Sequence, residues 1–209
     1  MSGTLISDAG DVLGAMAEAL GAQFAPYFQT FAQKLAGFYR EDRSCSDRSM
    51  AIGVMAEMVK GCGPAMSSFT EQLMQLAFSA LQDEEDEVRS NAVFLIGCLV
   101  ETTTQDMLPH FGKIMQHFVP LFAERQDEDA LDNVADNACG AVSRICLRVL
   151  PQLGADAIQQ VLAQLMPALP IRCDYAENVP ILSFTLKLLT EEHPAVVSFF
   201  IFFTCISLA

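Results

Sequence analysis

Carboxylates are the reactive groups that this sequence gathers most densely. The chain has 209 residues, with 26 Asp and Glu against 12 Lys and Arg, which gives a net charge of −14 at pH 7. Sixteen of the acidic residues fall into four groups: Glu41, Asp42 and Asp47; Asp83–Glu87; Glu124, Asp127, Glu128, Asp129, Asp132 and Asp136; Asp174 and Glu177. Crowded carboxylates favour a Lys- or Arg-rich partner, or else serve only solubility. The same charge argues against free-standing nucleic-acid binding, since a phosphate backbone requires basic side chains.

Other reactive residues are sparse and scattered. His110 and His117 lie seven residues apart and need a third ligand to hold a metal, while His193 stands alone. The seven cysteines form no CxxC pair, which is typical of a reduced, intracellular protein. Asp83–Glu87 lacks the alternating spacing and central glycine of a calcium loop. We therefore predict no catalytic residue, no cofactor and no metal, and we predict that the chain is not an enzyme.

The chain repeats itself at a period near 40 residues. A polar lead, a small residue and a helical apolar pattern recur at Ala51, Ala92 and Ala138, with weaker copies at Val12 and Ser183. Prolines recur at a similar period: Pro26, Pro64, Pro109, Pro151 and Pro194. Each unit is interpreted as helix A, an acidic turn and helix B. This period with two helices per unit is typical of HEAT or armadillo repeats.

The predicted fold is an all-α superhelix, a HEAT-repeat solenoid of about five helical hairpins. Residues 1–193 form the array: the B helix of a first repeat, then four repeats that start near 24, 64, 107 and 151. Residues 194–209 form a truncated or divergent apolar segment. Its uncharged part, 195–209, is shorter than the roughly 20 residues that span a bilayer. A truncated final repeat and a short tail anchor both remain open.

Two acidic turns carry an Asp with an Arg six residues later. The pairs are Asp42 with Arg48 and Asp83 with Arg89. This spacing resembles the HEAT pattern, in which Asp and Arg of neighbouring repeats form an inter-repeat ladder. The next two units have Ala135 and Pro180 in place of the Arg, so we expect the ladder to be broken there.

Several segments are similar to the importin-β (karyopherin-β) family. The resemblance is carried by Asp83–Gly97 with Leu108–Phe111, by Cys45–Gly53 and by Asp136–Gly140. Family members are much longer, and they carry cargo and the small GTPase Ran within one superhelix. The resemblance implies a fragment or short isoform from the C-terminal half, in cytoplasm and nucleus, binding basic cargo such as histones and ribosomal proteins. The N-terminal repeats that bind Ran in the family have no counterpart here. The resemblance therefore does not extend Ran binding to this chain.

We therefore predict a nuclear import receptor, or a fragment of one, that binds basic cargo non-covalently. The candidate binding residues are Glu41, Asp42, Asp83, Glu84, Glu85, Asp86, Glu87, Asp127, Glu128 and Asp129 in the turns, with Glu57 and Glu101 on B helices. One alternative is a HEAT scaffold for another protein complex. The other is a tail-anchored helical protein that uses Phe199–Leu208.

Overall fold

The fold is all-α, as the sequence predicts. The computed structural model describes residues 2–123 and 129–196, and these ranges contain helices and no β-strand. The chain divides into two compact units, Met1–Asp106 and Met107–Ala209. Each unit is built from A and B helices that alternate along the chain.

The first unit contains three B helices that pack side by side in chain order. Its α-helices are α1 Ser2–Leu20, α2 Ala25–Ala36, α3 Cys45–Cys62, α4 Thr70–Ala80 and α5 Asp86–Thr102. The B helix α3 packs between α1 and α5, while the A helices α2 and α4 pack on α3 and α5 respectively. Neighbouring B helices therefore bury each other's apolar faces, as stacked helical repeats do.

Local sequence signals set the bounds of helix α3. Its first turn is capped by the Ser44 hydroxyl, which accepts a hydrogen bond from the backbone N–H of Asp47 at 3.2 Å. The helix ends before Gly63, whose φ of +60° is accessible to glycine at little cost. Pro64 then stands in the first turn of a 3-10 helix, Gly63–Phe69, where its missing N–H costs no hydrogen bond.

Small residues allow α1 and α3 to approach closely. A Cβ atom on Gly61 would lie 2.6 Å from the carbonyl carbon of Ala17 and 2.6 Å from the backbone nitrogen of Glu18. A Cβ atom on Gly10 would lie 2.7 Å from Val54. Contact between these helices therefore depends on the absence of side chains at Gly10 and Gly61.

Aromatic and sulfur-containing side chains fill much of the remaining core. Phe24 and Phe28 are fully buried, and the rings of Phe28 and Phe69 lie 4.9 Å apart. Four of the six described cysteines are buried. Burial raises the pKa of the Cys62 thiol, so this cysteine behaves as a small apolar core residue.

The second unit repeats the alternation of A and B helices. Its helices are α6 Leu108–Leu121, α7 Asp129–Val149, α8 Ala155–Leu165 and α9 Asn178–Thr190. The B helix α7 packs against both α6 and α9. Pro180, where the sequence departs from the Arg pattern, lies in the first turn of α9, which follows the 3-10 helix Tyr175–Glu177.

Buried polar contacts join α7 to the segment that leads into α9. Asp136 is fully buried, and its Oδ2 accepts hydrogen bonds from the backbone N–H groups of Arg172, Cys173 and Asp174 at 3.0, 2.7 and 3.0 Å. Arg144 donates two hydrogen bonds to the carboxylate of the buried Glu177, at 2.5 and 3.1 Å. These contacts occur where the Asp–Arg spacing of the earlier turns is lost.

The bounds 1–193 of the repeat array and 194–209 of the apolar segment stay a prediction. Two A segments, near residues 64 and 151, begin with 3-10 turns, so that α4 and α8 start only at Thr70 and Ala155. Most of the predicted apolar segment 194–209, including Phe199–Leu208, lies outside the described residues. Within 2–123 and 129–196, no helix combines the length and hydropathy needed to cross a membrane.

Candidate functional site

One of the predicted acidic residues is held in a buried ion pair between two repeats. Arg48 of α3 donates from Nε to Asp83 Oδ2 at 2.9 Å and from Nη2 to Asp83 Oδ1 at 2.8 Å. The two side chains are only 10% and 9% exposed. Arg48 also donates to the carbonyl oxygen of Arg43 at 2.9 Å. Asp83 therefore has its carboxylate engaged by its own chain.

The environment of Asp83 favours its charged form. Burial on its own would raise the pKa of this carboxyl, but the hydrogen bonds from Arg48 and from the backbone N–H of Glu85, together with the charges of Arg48 and Arg89, hold it below the usual value. Bidentate pairing with a guanidinium has this effect because it stabilises the carboxylate. The pair joins the turn before α5 to helix α3.

The other two residues of the predicted ladder bind within their own turns. Asp42 accepts a hydrogen bond from Arg40 at 2.7 Å on the exposed surface. Arg89 pairs with Asp86. The structure thus brings Arg48 and Asp83 together across repeats. Arg89 also donates to the backbone carbonyl oxygen of Asp83 at 3.3 Å. The four-residue ladder remains a prediction as a set.

The remaining turn carboxylates differ in exposure. Glu41, Glu84 and Glu87 are exposed, and the side chain of Glu84, at 85% exposure, lies 3.9 Å from Arg48. Glu85 is half-buried and lies just before the first residue of α5. Glu101 is exposed near the end of α5.

Three predicted binding residues have side chains outside the described part of the chain. Asp127 and Glu128 lie outside the described residues. Asp129 is the first residue of α7, and its side chain is also outside the described part of the chain.

Glu57 lies in an acidic cleft formed by α1, α3 and α5. The cleft has a volume of about 560 Å³. Its lining consists of Asp11, Gly14, Ala15, Glu18, Glu57, Lys60, Gly61 and Phe94. The Glu57 carboxylate lies directly over Gly14, where a Cβ atom would overlap it. This cleft therefore combines carboxylates from two B helices with an aromatic side chain from a third.

The cleft carries a net negative charge. Burial raises the pKa of Glu57, the neighbouring charges of Asp11 and Glu18 raise it further, and the ammonium of Lys60 lowers it. Lys60 lies with its Nζ atom 5.7 Å from the centre of the Phe94 ring. Three carboxylates beside a single ammonium leave a surplus of negative charge, and the Phe94 ring already has the Lys60 ammonium over it. The cleft can accept a Lys or Arg side chain.

Glu57 was predicted from the sequence as a binding residue, whereas Asp11 and Glu18 were not. These two residues lie seven positions apart, which places them two turns apart on one face of α1. That spacing could have predicted an acidic face on a B helix. The proximity of Asp11 and Glu18 to Glu57 could not be predicted from the sequence, because it depends on the close approach of α1 to α3.

Metal binding finds no support in the described residues. Within them, no group of His, Cys, Asp and Glu could hold a metal ion. The carboxylates of the cleft and turns are instead arranged as surface charges and ion-pair partners.

The order of A and B helices, with B helices packed in succession, defines an α-helical repeat protein. A family described as "Importin subunit beta-1-like, TPR repeats" matches residues 4–93. The chain is 34% identical over 193 residues to a protein of Schizosaccharomyces pombe named "Probable importin subunit beta-4", covering 92% of this chain and 17% of that protein. It is 35% identical over 178 residues to human "Importin-4", covering 85% of this chain and 16% of that protein. The mouse protein of the same name is 32% identical over 174 residues, 83% of this chain and 15% of that protein.

Over most of its length the chain is similar to importins, importin-4 among them, and the resemblance to the importin-β family that the sequence indicates is confirmed. These relatives are named as importins rather than as enzymes. The chain spans only about a sixth of their length.

Proposed function

We propose that this chain is a cargo-binding part of a nuclear import receptor and that it binds Lys- or Arg-rich protein segments without covalent chemistry. The observation that best supports this function is the acidic cleft between α1 and α3, with Asp11, Glu18 and Glu57 in its lining. Basic proteins such as histones and ribosomal proteins are the cargo class, and the cytoplasm and nucleus are the compartments. Ran binding is assigned to the full-length family member and not to this chain.

Binding would proceed through charge attraction followed by local fit. The net charge of −14 attracts a basic segment over a distance of roughly a Debye length, about 8 Å at physiological salt. In the cleft, the aliphatic stem of a Lys or Arg contacts Ala15 and the Phe94 ring, while its charged head group meets Asp11 and Glu57. The exposed turn carboxylates Glu41, Glu84 and Glu87 increase attraction but offer no enclosed contact.

The test is the binding of a labelled Lys-rich peptide to the full chain, followed by fluorescence anisotropy. A triple variant neutralises the cleft: Asp11→Asn, Glu18→Gln and Glu57→Gln. We expect it to bind about tenfold more weakly at low salt, since partly exposed ion pairs contribute about 0.2–1 kcal/mol each. Binding of the unchanged chain should also weaken as NaCl is raised.

A matched variant removes the same number of charges elsewhere. Asp156, Glu191 and Glu192 are exposed residues of the second unit that lie outside the predicted binding set. Neutralising these three should reduce affinity much less than neutralising the cleft. Equal losses for the two triple variants, or affinity that does not change with salt, would contradict the proposed site.

A further inference from the structure

Lys60 places an ammonium group of the chain itself in the acidic cleft. It lies in the last turn of α3, three residues after Glu57, so the two side chains share one face of that helix. Its Nζ atom is 5.7 Å from the centre of the Phe94 ring on α5. A cation at this distance is attracted by the face of an aromatic ring. The cleft therefore holds a cation of its own.

The Lys60 charge also acts on Glu57. Burial and the neighbouring charge of Asp11 raise the pKa of Glu57, whereas the charge of Lys60 lowers it. A cation that lowers the pKa of a carboxyl group does so by stabilising its charged form. Lys60 thus already makes, with Glu57 and Phe94, the interactions that an incoming Lys or Arg side chain would make.

The face that carries Glu57 and Lys60 is open although α3 is covered on both sides. Helix α3 packs between α1 and α5, and both residues remain exposed in this arrangement. Phe94, on the neighbouring helix α5, is half-buried beside them. The exposure of Lys60 is therefore a property of a helix that has both of its B-helix neighbours.

We propose that Lys60 is an internal competitor that limits the affinity of the cleft for basic segments, an inference that rests on the proposed function. In that function, the stem of an incoming Lys or Arg contacts the Phe94 ring and its head group meets Asp11 and Glu57. Lys60 uses the same ring and one of the same carboxylates. Binding therefore requires the Lys60 ammonium to leave the ring, and repulsion between like charges opposes entry.

The test measures binding of the same labelled Lys-rich peptide to variants of the full chain by fluorescence anisotropy at low salt. Lys60→Gln removes the competing charge and should bind the peptide about two- to fivefold more tightly, the factor that one partly exposed charge pair contributes. Lys60→Arg keeps a cation at the ring and should bind within about 1.5-fold of the unchanged chain. Circular dichroism should show equal helix content in all variants.

Lys34→Gln is the matched control for net charge. Lys34 is exposed on α2 and lies outside the lining of the cleft. Its loss changes only the long-range attraction, so it should strengthen binding by less than about 1.5-fold. A gain equal to that of Lys60→Gln would overturn the inference, because total charge alone would then explain both variants.

A second measurement follows the Lys60 side chain directly. In the full chain labelled with ¹³C-lysine, the Cε–Hε signal of Lys60 is assigned by its absence from the spectrum of Lys60→Arg. Unlabelled peptide should shift this signal as the ammonium leaves the Phe94 ring, whereas the signal of Lys34 should stay in place. A Lys60 signal that does not move at saturating peptide would overturn the inference by showing that both cations bind together.

The triple variant of the cleft, Asp11→Asn, Glu18→Gln and Glu57→Gln, separates this inference from the proposed function. Weaker binding by the triple variant without tighter binding by Lys60→Gln would overturn the role of Lys60 and leave the proposed function intact. Undiminished binding by the triple variant would overturn the proposed function, and the role of Lys60 with it.

Discussion

At the scale of single residues, Arg48 and Asp83 form a buried polar contact that links two repeats. Each side chain is about one-tenth exposed, and their two hydrogen bonds are 2.8 and 2.9 Å long. Removal of Asp83 would leave the buried Arg48 charge with only the Arg43 carbonyl oxygen at 2.9 Å and the exposed Glu84 at 3.9 Å. Such a loss is costly even where the intact pair contributes little to stability.

Asp83→Asn should lower the free energy of unfolding by about 2–4 kcal/mol at pH 7, because Arg48 would lose a charged partner that it cannot replace with water. Urea unfolding followed by circular dichroism measures this change. Asp42→Asn is the matched control, since the Asp42–Arg40 pair is exposed and should change stability by less than about 0.5 kcal/mol. Similar losses in both variants would show that burial of the pair is unimportant.

The same substitution should have a pH-dependent effect. The pKa of Asp83 is lowered in the folded chain: burial opposes this shift, and the hydrogen bonds from Arg48 and the Glu85 N–H outweigh it. Its stabilising contribution is complete above the unfolded pKa of about 3.9 and is lost as pH falls through the lower folded pKa. The stability difference between the unchanged chain and Asp83→Asn should therefore be constant at neutral pH and shrink in acid. A difference that grows in acid would contradict the assigned direction.

At the scale of elements, the contact between α1 and α3 depends on glycine. Gly61 faces the backbone of α1, which cannot move aside as a side chain can. Gly14 faces the far end of Glu57, which can rotate. Two glycines on the same interface therefore have different tolerance for a methyl group.

Gly61→Ala should destabilise the first unit by about 1–3 kcal/mol, because the added Cβ would lie 2.6 Å from backbone atoms of Ala17 and Glu18. Gly112→Ala in α6 is the matched control, since nothing lies within 4 Å of its added Cβ. There, alanine should raise stability by roughly 0.5–1 kcal/mol through its greater helix propensity. Urea unfolding of both variants measures the contrast, and a neutral Gly61→Ala would mean that α1 can shift freely.

The sequence predicted these elements better than it predicted their side-chain partners. The recurring small residues Ala51, Ala92 and Ala138 are buried in successive B helices because apolar periodicity is a local property of the chain. Asp136 could be counted as a turn acid in the sequence, yet it is buried against backbone N–H groups. Its role depends on residues that follow 36–38 positions later, and no local pattern shows such a distance.

In the candidate site, too, the sequence predicted the position of a residue but not its side-chain partners. Glu57 was predicted from its position on a B helix, whereas the carboxylates that surround it come from α1 and become neighbours only when the helices pack. Asp83 and Asp86 were predicted as partner-binding residues, but each is paired with an arginine of the chain itself. Residue type and spacing predict where negative charge is concentrated. The tertiary fold determines which arginine pairs with a given carboxylate.

At the scale of the whole molecule, net charge opposes compactness. A charge of −14 on 209 residues produces mutual repulsion that unfolding relieves. Raising NaCl from about 20 to about 300 mM should therefore raise the thermal midpoint by a few degrees, since the shorter Debye length screens the repulsion between exposed charges. Differential scanning fluorimetry measures this shift.

A variant with Glu41→Gln, Glu84→Gln and Glu87→Gln provides the control for charge. All three residues are exposed, so their neutralisation should leave the packing intact. Its thermal midpoint should respond less to NaCl than that of the unchanged chain. An equal response would indicate that salt acts on something other than the repulsion between these carboxylates.

The carboxylate of Asp136 carries a consequence for the order in which the chain is made. The three amides that it holds, at Arg172, Cys173 and Asp174, belong to a segment that reaches α9 only after translation has already completed α7. Asp136 is therefore synthesised before the backbone segment 172–174 whose conformation it stabilises. A substitution of Asp136 would therefore disturb the segment that leads into α9, although the sequence of α9 would be unchanged.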